Sequence, residues 1–201
     1  MFDRAVSHLL TPSLQSLGRT LVRCGISANA ITFTGFFLGM LSAGLIALQA
    51  PLAGLGVMLL SRLCDGLDGA VARLTQPTDR GGFLDIALDF LFYASVPLAF
   101  AVADPVHNAL PAAVLLACFV GTGTTFLAYA TLAAKRGLTS LNYPDKSFYF
   151  LGGLTEATET LLLFASMCLW PDLFALLAYG FAAACALTIA TRLHWGWKTL
   201  T

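Results

Sequence analysis

The chain is organised as long apolar runs separated by short polar breaks, and nowhere shows the two-residue alternation of half-buried strands. Six runs come up to the roughly 20 residues a helix needs to cross a bilayer: 28–49, 51–72, 83–103, 109–134, 148–170 and 173–192. They use nearly the whole of the 201 residues, so the pattern predicts an all-α polytopic membrane protein with six transmembrane helices. Residues 1–27 are different. Leu9, Leu10, Leu14, Leu17 and Leu21 recur at helical spacing, with Arg4, Arg19 and Arg23 scattered among them. That mixture predicts an N-terminal amphipathic interfacial helix with its leucines toward lipid, rather than a cleavable signal with a compact apolar core.

Composition strengthens this picture. Hydrophobic residues make up 58% of the chain and charged residues 11%, with a mean hydropathy of +0.80, far from the balance of a soluble domain. The formal net charge is zero, so the basic surface that nucleic-acid binding requires is absent. Five cysteines, Cys24, Cys64, Cys118, Cys168 and Cys185, show no C-x-x-C spacing and read as small packing residues rather than disulfides or metal ligands.

The basic residues orient the spans. Arg4, Arg19 and Arg23 precede the first; Arg73 and Arg80 lie between the second and third. Lys135, Arg136 and Lys146 fall between the fourth and fifth, and Arg192 and Lys198 end the chain. Lysine and arginine are retained on the cytoplasmic side of short loops, so both termini and these loops are expected there. Arg62 alone breaks the pattern, because it falls inside the second span.

The acids carry the chemistry. Asp65, Asp68, Asp85, Asp89, Glu156 and Glu159 lie within or at the margin of apolar runs, where a carboxylate costs on the order of 2.5–3.5 kcal/mol. Asp65, Gly69 and Ala72 follow i, i+4, i+7 spacing on one helical face, with Asp68 beside them, and Asp85 and Asp89 are also i, i+4. If the two helices face each other, four carboxylates converge. A pair of hard divalent cations would neutralise them, and all-oxygen ligands suit magnesium, manganese or calcium. Gly66, Gly69 and Ala72 would leave room for a substrate, and Arg73 could fork onto phosphate oxygens. Glu156 and Glu159 either pair with a basic residue such as Arg62 or Arg192, or line a second pocket.

The segment Asp65-x2-Asp68-Gly69-x2-Ala72-Arg73-x7-Gly81-x3-Asp85-x3-Asp89 resembles the signature of the CDP-alcohol phosphatidyltransferases. One spacing departs from the family pattern: seven residues separate Arg73 from Gly81 where eight are usual, and Gly82 stands one step further on. Upstream, Asn29 and Thr32 resemble the family's Pro-Asn-x-x-Thr segment, with Ala28 in place of the proline. The resemblance implies metal-dependent transfer of a phosphatidyl group from CDP-diacylglycerol to a polar alcohol, with release of CMP, in phospholipid biosynthesis. It makes residues 1–27 an interfacial helix and 28–201 a six-helix transmembrane catalytic domain. It also implies two Mg2+ or Mn2+ ions on Asp65, Asp68, Asp85 and Asp89, with Asp89 as the base. Asn29, Thr32, Asp65, Gly69, Ala72, Arg73, Thr78 and Gly81 would contact the CDP-alcohol. A homodimer in a bacterial cytoplasmic membrane, active site inward, completes the expectation. The rival reading is a membrane transporter or ion pathway that uses the intramembrane carboxylates.

Overall fold

The computed structural model describes residues 3–137 and 154–200, with side chains from Thr11 onward. Among the described residues the fold is all helical. The helices are α1 (Asp3–Arg23), α2 (Ala28–Ala47), α3 (Pro51–Leu74), α4 (Asp79–Ala103), α5 (Pro105–Lys135), α6 (Ala157–Leu169) and α7 (Phe174–Thr199), with one 3-10 turn, Pro171–Leu173, before α7. Local chemistry sets the starts. Ser27 Oγ accepts from the Ala30 amide at 3.3 Å, Thr78 Oγ1 from the Gly81 amide at 3.1 Å, and Asp104 from the His107 amide. Pro51 and Pro105 occupy first turns, where no amide donor is needed.

Four helical stretches are long and apolar enough to cross a membrane: α2, α4, α5 and Pro171–Thr199. The chain is an integral membrane protein on this account. α3 has 24 residues, about 36 Å at the usual rise, but Arg62, Asp65, Asp68 and Arg73 make it far more polar than its neighbours. The described part of the fifth expected span is the 13-residue α6; residues 148–153 of that expectation, like Lys146, lie outside the described residues.

Helices α2 and α3 approach closely because the residues between them are small. Ser61 Oγ donates to the Gly35 carbonyl at 2.7 Å and Ser42 Oγ to the Gly54 carbonyl at 2.7 Å. A Cβ at Gly39 would stand 2.6 Å from the Phe92 ring, so only glycine fits there. The core proper lies between α2, α3, α4, α5, α6 and α7, built on Ile46, Met58, Phe92, Val96, Leu115, Phe164, Met167 and Phe174. Phe100 and Phe174 stack with centroids 4.7 Å apart. Phe37, Leu48, Val106 and Leu176 point outward, an apolar exterior that belongs in lipid.

α1 meets part of its expectation. It is helical, and Leu17 is half exposed. Its Leu14 and Gly18 face α3, however: a Cβ on Gly66 would lie 3.1 Å from Leu14, and one on Gly18 would lie 3.3 Å from Leu74. Gly66 therefore makes room for α1, not for a substrate.

The helices run back and forth, which collects the α2 and α4 starts and the α3 and α5 ends at one end of the bundle. At the opposite end Gln49 Nε2 donates to the Ala103 carbonyl at 3.1 Å and ties the two turns together. Asp104, in the turn, lies 2.8 Å from His107 Nδ1, and that contact holds its carboxyl below the usual carboxylate range.

Candidate active site

The carboxylates of α3 and α4 meet as the two i, i+4 faces suggested, with one refinement. Asp65, Asp85 and Asp89 each offer an oxygen, and these oxygens lie within 4.8 Å of one another. Asp68 lines the same small hollow but stands outside that group. It is buried, and its Oδ2 has no hydrogen-bond partner. A buried carboxylate oxygen left without a partner is costly, and Asp68 lines the hollow shared with the other three acids. The donor set is all oxygen, so the residues fit hard divalent ions and not zinc or copper.

Arg62 sits among these acids, and sequence reasoning assigned it no place there. Its Nη1 donates to Asp89 Oδ1 at 2.8 Å and lies 3.4 Å from Asp65 Oδ1. Nη2 donates to Ser61 Oγ at 3.1 Å, and the guanidinium lies 4.0 Å over the Phe92 ring. Of the alternatives open for Glu156 and Glu159, pairing with Arg62 is not the one made; Arg62 is held one turn away on its own helix and across to α4. The i, i+3 spacing of Arg62 and Asp65 was the one signal available in the sequence.

Beyond the carboxylates opens a cleft of about 1130 Å³. Its near wall carries Asn29 and Thr32 from α2, then Gly69, Ala72 and Arg73 from α3. Thr78, Gly81, Asp85 and Asp89 follow from the start of α4. Asp68 reaches it too, whereas Asp65 stays in the hollow behind. The starts of α2 and α4 come side by side here: a Cβ on Gly81 would lie 3.4 Å from Asn29 Oδ1 and 3.2 Å from Thr78 Oγ1. Gly69 leaves the Arg73 guanidinium close against the backbone, since a Cβ there would stand 3.2 Å from Nη1. Gly81 and Gly82 both line the cleft, so the seven-residue spacing keeps a bare stretch of backbone at this rim.

The far wall belongs to α5, α6 and α7. Thr122, Thr155, Glu156, Thr160 and Arg192 line it. Arg192 is buried; Nη1 donates to the Thr122 carbonyl at 2.9 Å, and Glu156 acts on it electrostatically. Glu159 has a local role, because its Oε2 accepts from the Glu156 amide at 3.2 Å and closes a capping box at the start of α6. Of the two glutamates, Glu156 is the one that faces the cleft. All five cysteines are free thiols, and none joins the carboxylate group.

This arrangement can be set against known proteins. A model of the CDP-alcohol phosphatidyltransferases matches residues 26–192. The chain belongs to the CDP-alcohol phosphatidyltransferase family. It is thus a phosphotransferase by descent, and the transporter reading is set aside. This phosphatidyltransferase is 50% identical over 200 residues to the inner membrane protein YnjF of Escherichia coli K12, covering all of this chain and 97% of that one. It is 36% identical over 84 residues to an archaetidylinositol phosphate synthase of Pyrococcus horikoshii, covering 41% of this chain and 45% of the relative. In fold it resembles the phosphatidylinositol phosphate synthase of Mycobacterium tuberculosis. The crystal structure with manganese and citrate gives a TM-score of 0.73 at 23% identity, over 92% of this chain and 88% of that one. A crystal structure of the same protein with CDP-DAG bound matches equally well, over 93% of its chain.

Proposed function

We propose that this phosphatidyltransferase takes CDP-diacylglycerol as donor and transfers its phosphatidyl group to a polar alcohol, releasing CMP. The observation that carries the reading is the three-carboxylate group, with oxygens within 4.8 Å of one another, at the edge of the cleft that the family's motif residues line. Asp65, Asp85 and Asp89, with Asp68 supplying its unpartnered oxygen, would hold two Mg2+ or Mn2+ ions. Bound there, the metals would neutralise diphosphate charge and stabilise the leaving CMP. A hydroxyl is a weak nucleophile at neutral pH, so the acceptor needs a base. Asp89 serves as that base through Oδ2, because Oδ1 is engaged by Arg62.

Around this centre, Arg73 binds diphosphate oxygens over the open backbone at Gly69. Ala72, Gly81, Thr78, Asn29 and Thr32 form the wall against which the nucleotide lies. The acyl chains of the donor remain in lipid beside the apolar exterior while its head enters the cleft. Arg192, Glu156 and the threonines of the far wall receive the acceptor.

The basic loops support an inner-membrane orientation with both termini and the site in the cytoplasm. Six crossings follow if α3 spans with its carboxylates turned inward and the fifth span includes α6. Residues 1–27 then lie at the interface, 28–201 form the catalytic domain, and the assembly is a homodimer. The test is CMP release from CDP-diacylglycerol by detergent-purified protein with Mn2+, against a panel of glycerol 3-phosphate, serine, inositol phosphate and other polar alcohols. Acceptor-dependent CMP and a new phospholipid support the proposal; no CMP with any donor and acceptor refutes it.

A further inference from the structure

Arg62 lies inside an apolar span, where a guanidinium is expensive unless paired, and its pairing is with acids already assigned to metal. Its side chain is 12% exposed. Two of its nitrogens are used, one on Asp89 and near Asp65, the other on Ser61, and its Nε is buried without a partner. Ser61 is itself fixed by its bond to the Gly35 carbonyl, and Phe92 lies beneath the guanidinium plane. The guanidinium is therefore held by α3 and α4, with α2 fixing the Ser61 hydroxyl that receives it. Leaving these partners would strand a buried charge, so it cannot swing away at low cost.

We propose that Arg62 is a resident cation of the carboxylate cage: it positions Asp89 and, by sharing Asp89 and Asp65, weakens the cage's hold on divalent ions. This rests on the metal reading of the four aspartates. The charge count shows why such a residue is useful. Four carboxylates alone would attract divalent ions strongly and hold them whether or not substrate is present. With one fixed positive charge among them the cage carries three net negative charges, short of the four that two divalent ions would balance. The diphosphate of the incoming nucleotide then supplies the remaining negative charge. The same clamp engages Asp89 Oδ1 and so fixes the orientation in which Asp89 presents Oδ2.

The experiment is Mn2+ binding followed by electron paramagnetic resonance, without nucleotide, on wild type, Arg62→Met and Arg62→Lys. Arg62→Met removes the competing charge at similar length, and its Mn2+ affinity should rise by about tenfold or more, given the strength of a unit charge at this range in a partly buried site. Arg62→Lys keeps the charge and loses the fork, so Mn2+ affinity should stay within about threefold of wild type. Its kcat for CMP release should fall by about tenfold or more with little change in KM for the donor. Unchanged or weaker Mn2+ binding in folded Arg62→Met overturns the proposal, as does a wild-type kcat in Arg62→Lys. Should Arg62→Met not fold, Arg62→Gln replaces it with the same expectation. Wild-type protein that binds no Mn2+ even with CDP-diacylglycerol present would instead refute the metal reading itself.

Discussion

Replacing Asp89 with asparagine separates chemistry from architecture. The substitution keeps the shape of the side chain and an oxygen that can still accept from Arg62 Nη1, now 2.8 Å from Oδ1. What is lost is the charge. Arg62 would keep Asp65 at 3.4 Å, Ser61 and the Phe92 ring, so it is not abandoned in the membrane. A hydrogen bond to a charged partner contributes about 1.5–3 kcal/mol, and exchanging it for a bond to a neutral amide forfeits only part of that. Folding stability should therefore fall by about 1 kcal/mol, enough to lower the melting temperature by a few degrees. The catalytic loss is of a different size. An amide cannot take the acceptor's proton, and general-base assistance contributes about 10²–10⁴-fold, or about 3–5 kcal/mol of barrier. The assay pairs CMP release with binding of CDP-diacylglycerol and thermal melting in the same detergent. The expected outcome is transfer reduced at least a hundredfold, donor binding within about tenfold of wild type, and a folded protein. Transfer within tenfold of wild type would refute the assignment of Asp89 as base.

Further substitutions probe the walls. Phe92→Ala removes a fully buried ring that carries both the core and the Arg62 guanidinium; it should cost about 3–5 kcal/mol in thermal or denaturant unfolding. Gly69→Val places side-chain atoms where the Arg73 guanidinium lies; KM for the donor should rise tenfold or more in the CMP-release assay while Mn2+ binding is kept. Glu156→Gln should change KM for the acceptor alone, since Glu156 is across the cleft from the motif and beside Arg192; an equal change in KM for the donor would count against the division of the cleft into two sides.

The gathering of the candidate site was legible in the sequence because it rests on helical periodicity. Asp65 with Gly69 and Ala72, and Asp85 with Asp89, are bound to share faces once their segments are helices, and the structure needed only to turn those faces together. Arg62 was hidden because its partner Asp89 lies on another helix, and a basic residue in an apolar run shows that a partner is required without showing which. Gly66 shows the limit of reading small residues as room for a ligand, since the same absence of a side chain serves the approach of Leu14. The capping role of Glu159 was hidden for a related reason: with the helix start three residues before it unknown, an acid inside an apolar run and an acid closing a capping box look alike. The fold was legible as apolar helices but less so as spans. α3 spends four of its 24 residues on charge, and a hydropathy window penalises the very residues that make it the centre of the site.

The carboxylates are proposed to act through divalent metal. The most direct measurement is CMP release from CDP-diacylglycerol, with a competent alcohol, by purified protein treated with EDTA and then titrated with Mn2+. Chelation should abolish release, and Mn2+ should restore it in wild type but not in Asp65→Asn or Asp85→Asn. Release that survives complete removal of divalent ions, or that survives either substitution at the wild-type rate, would contradict the proposal.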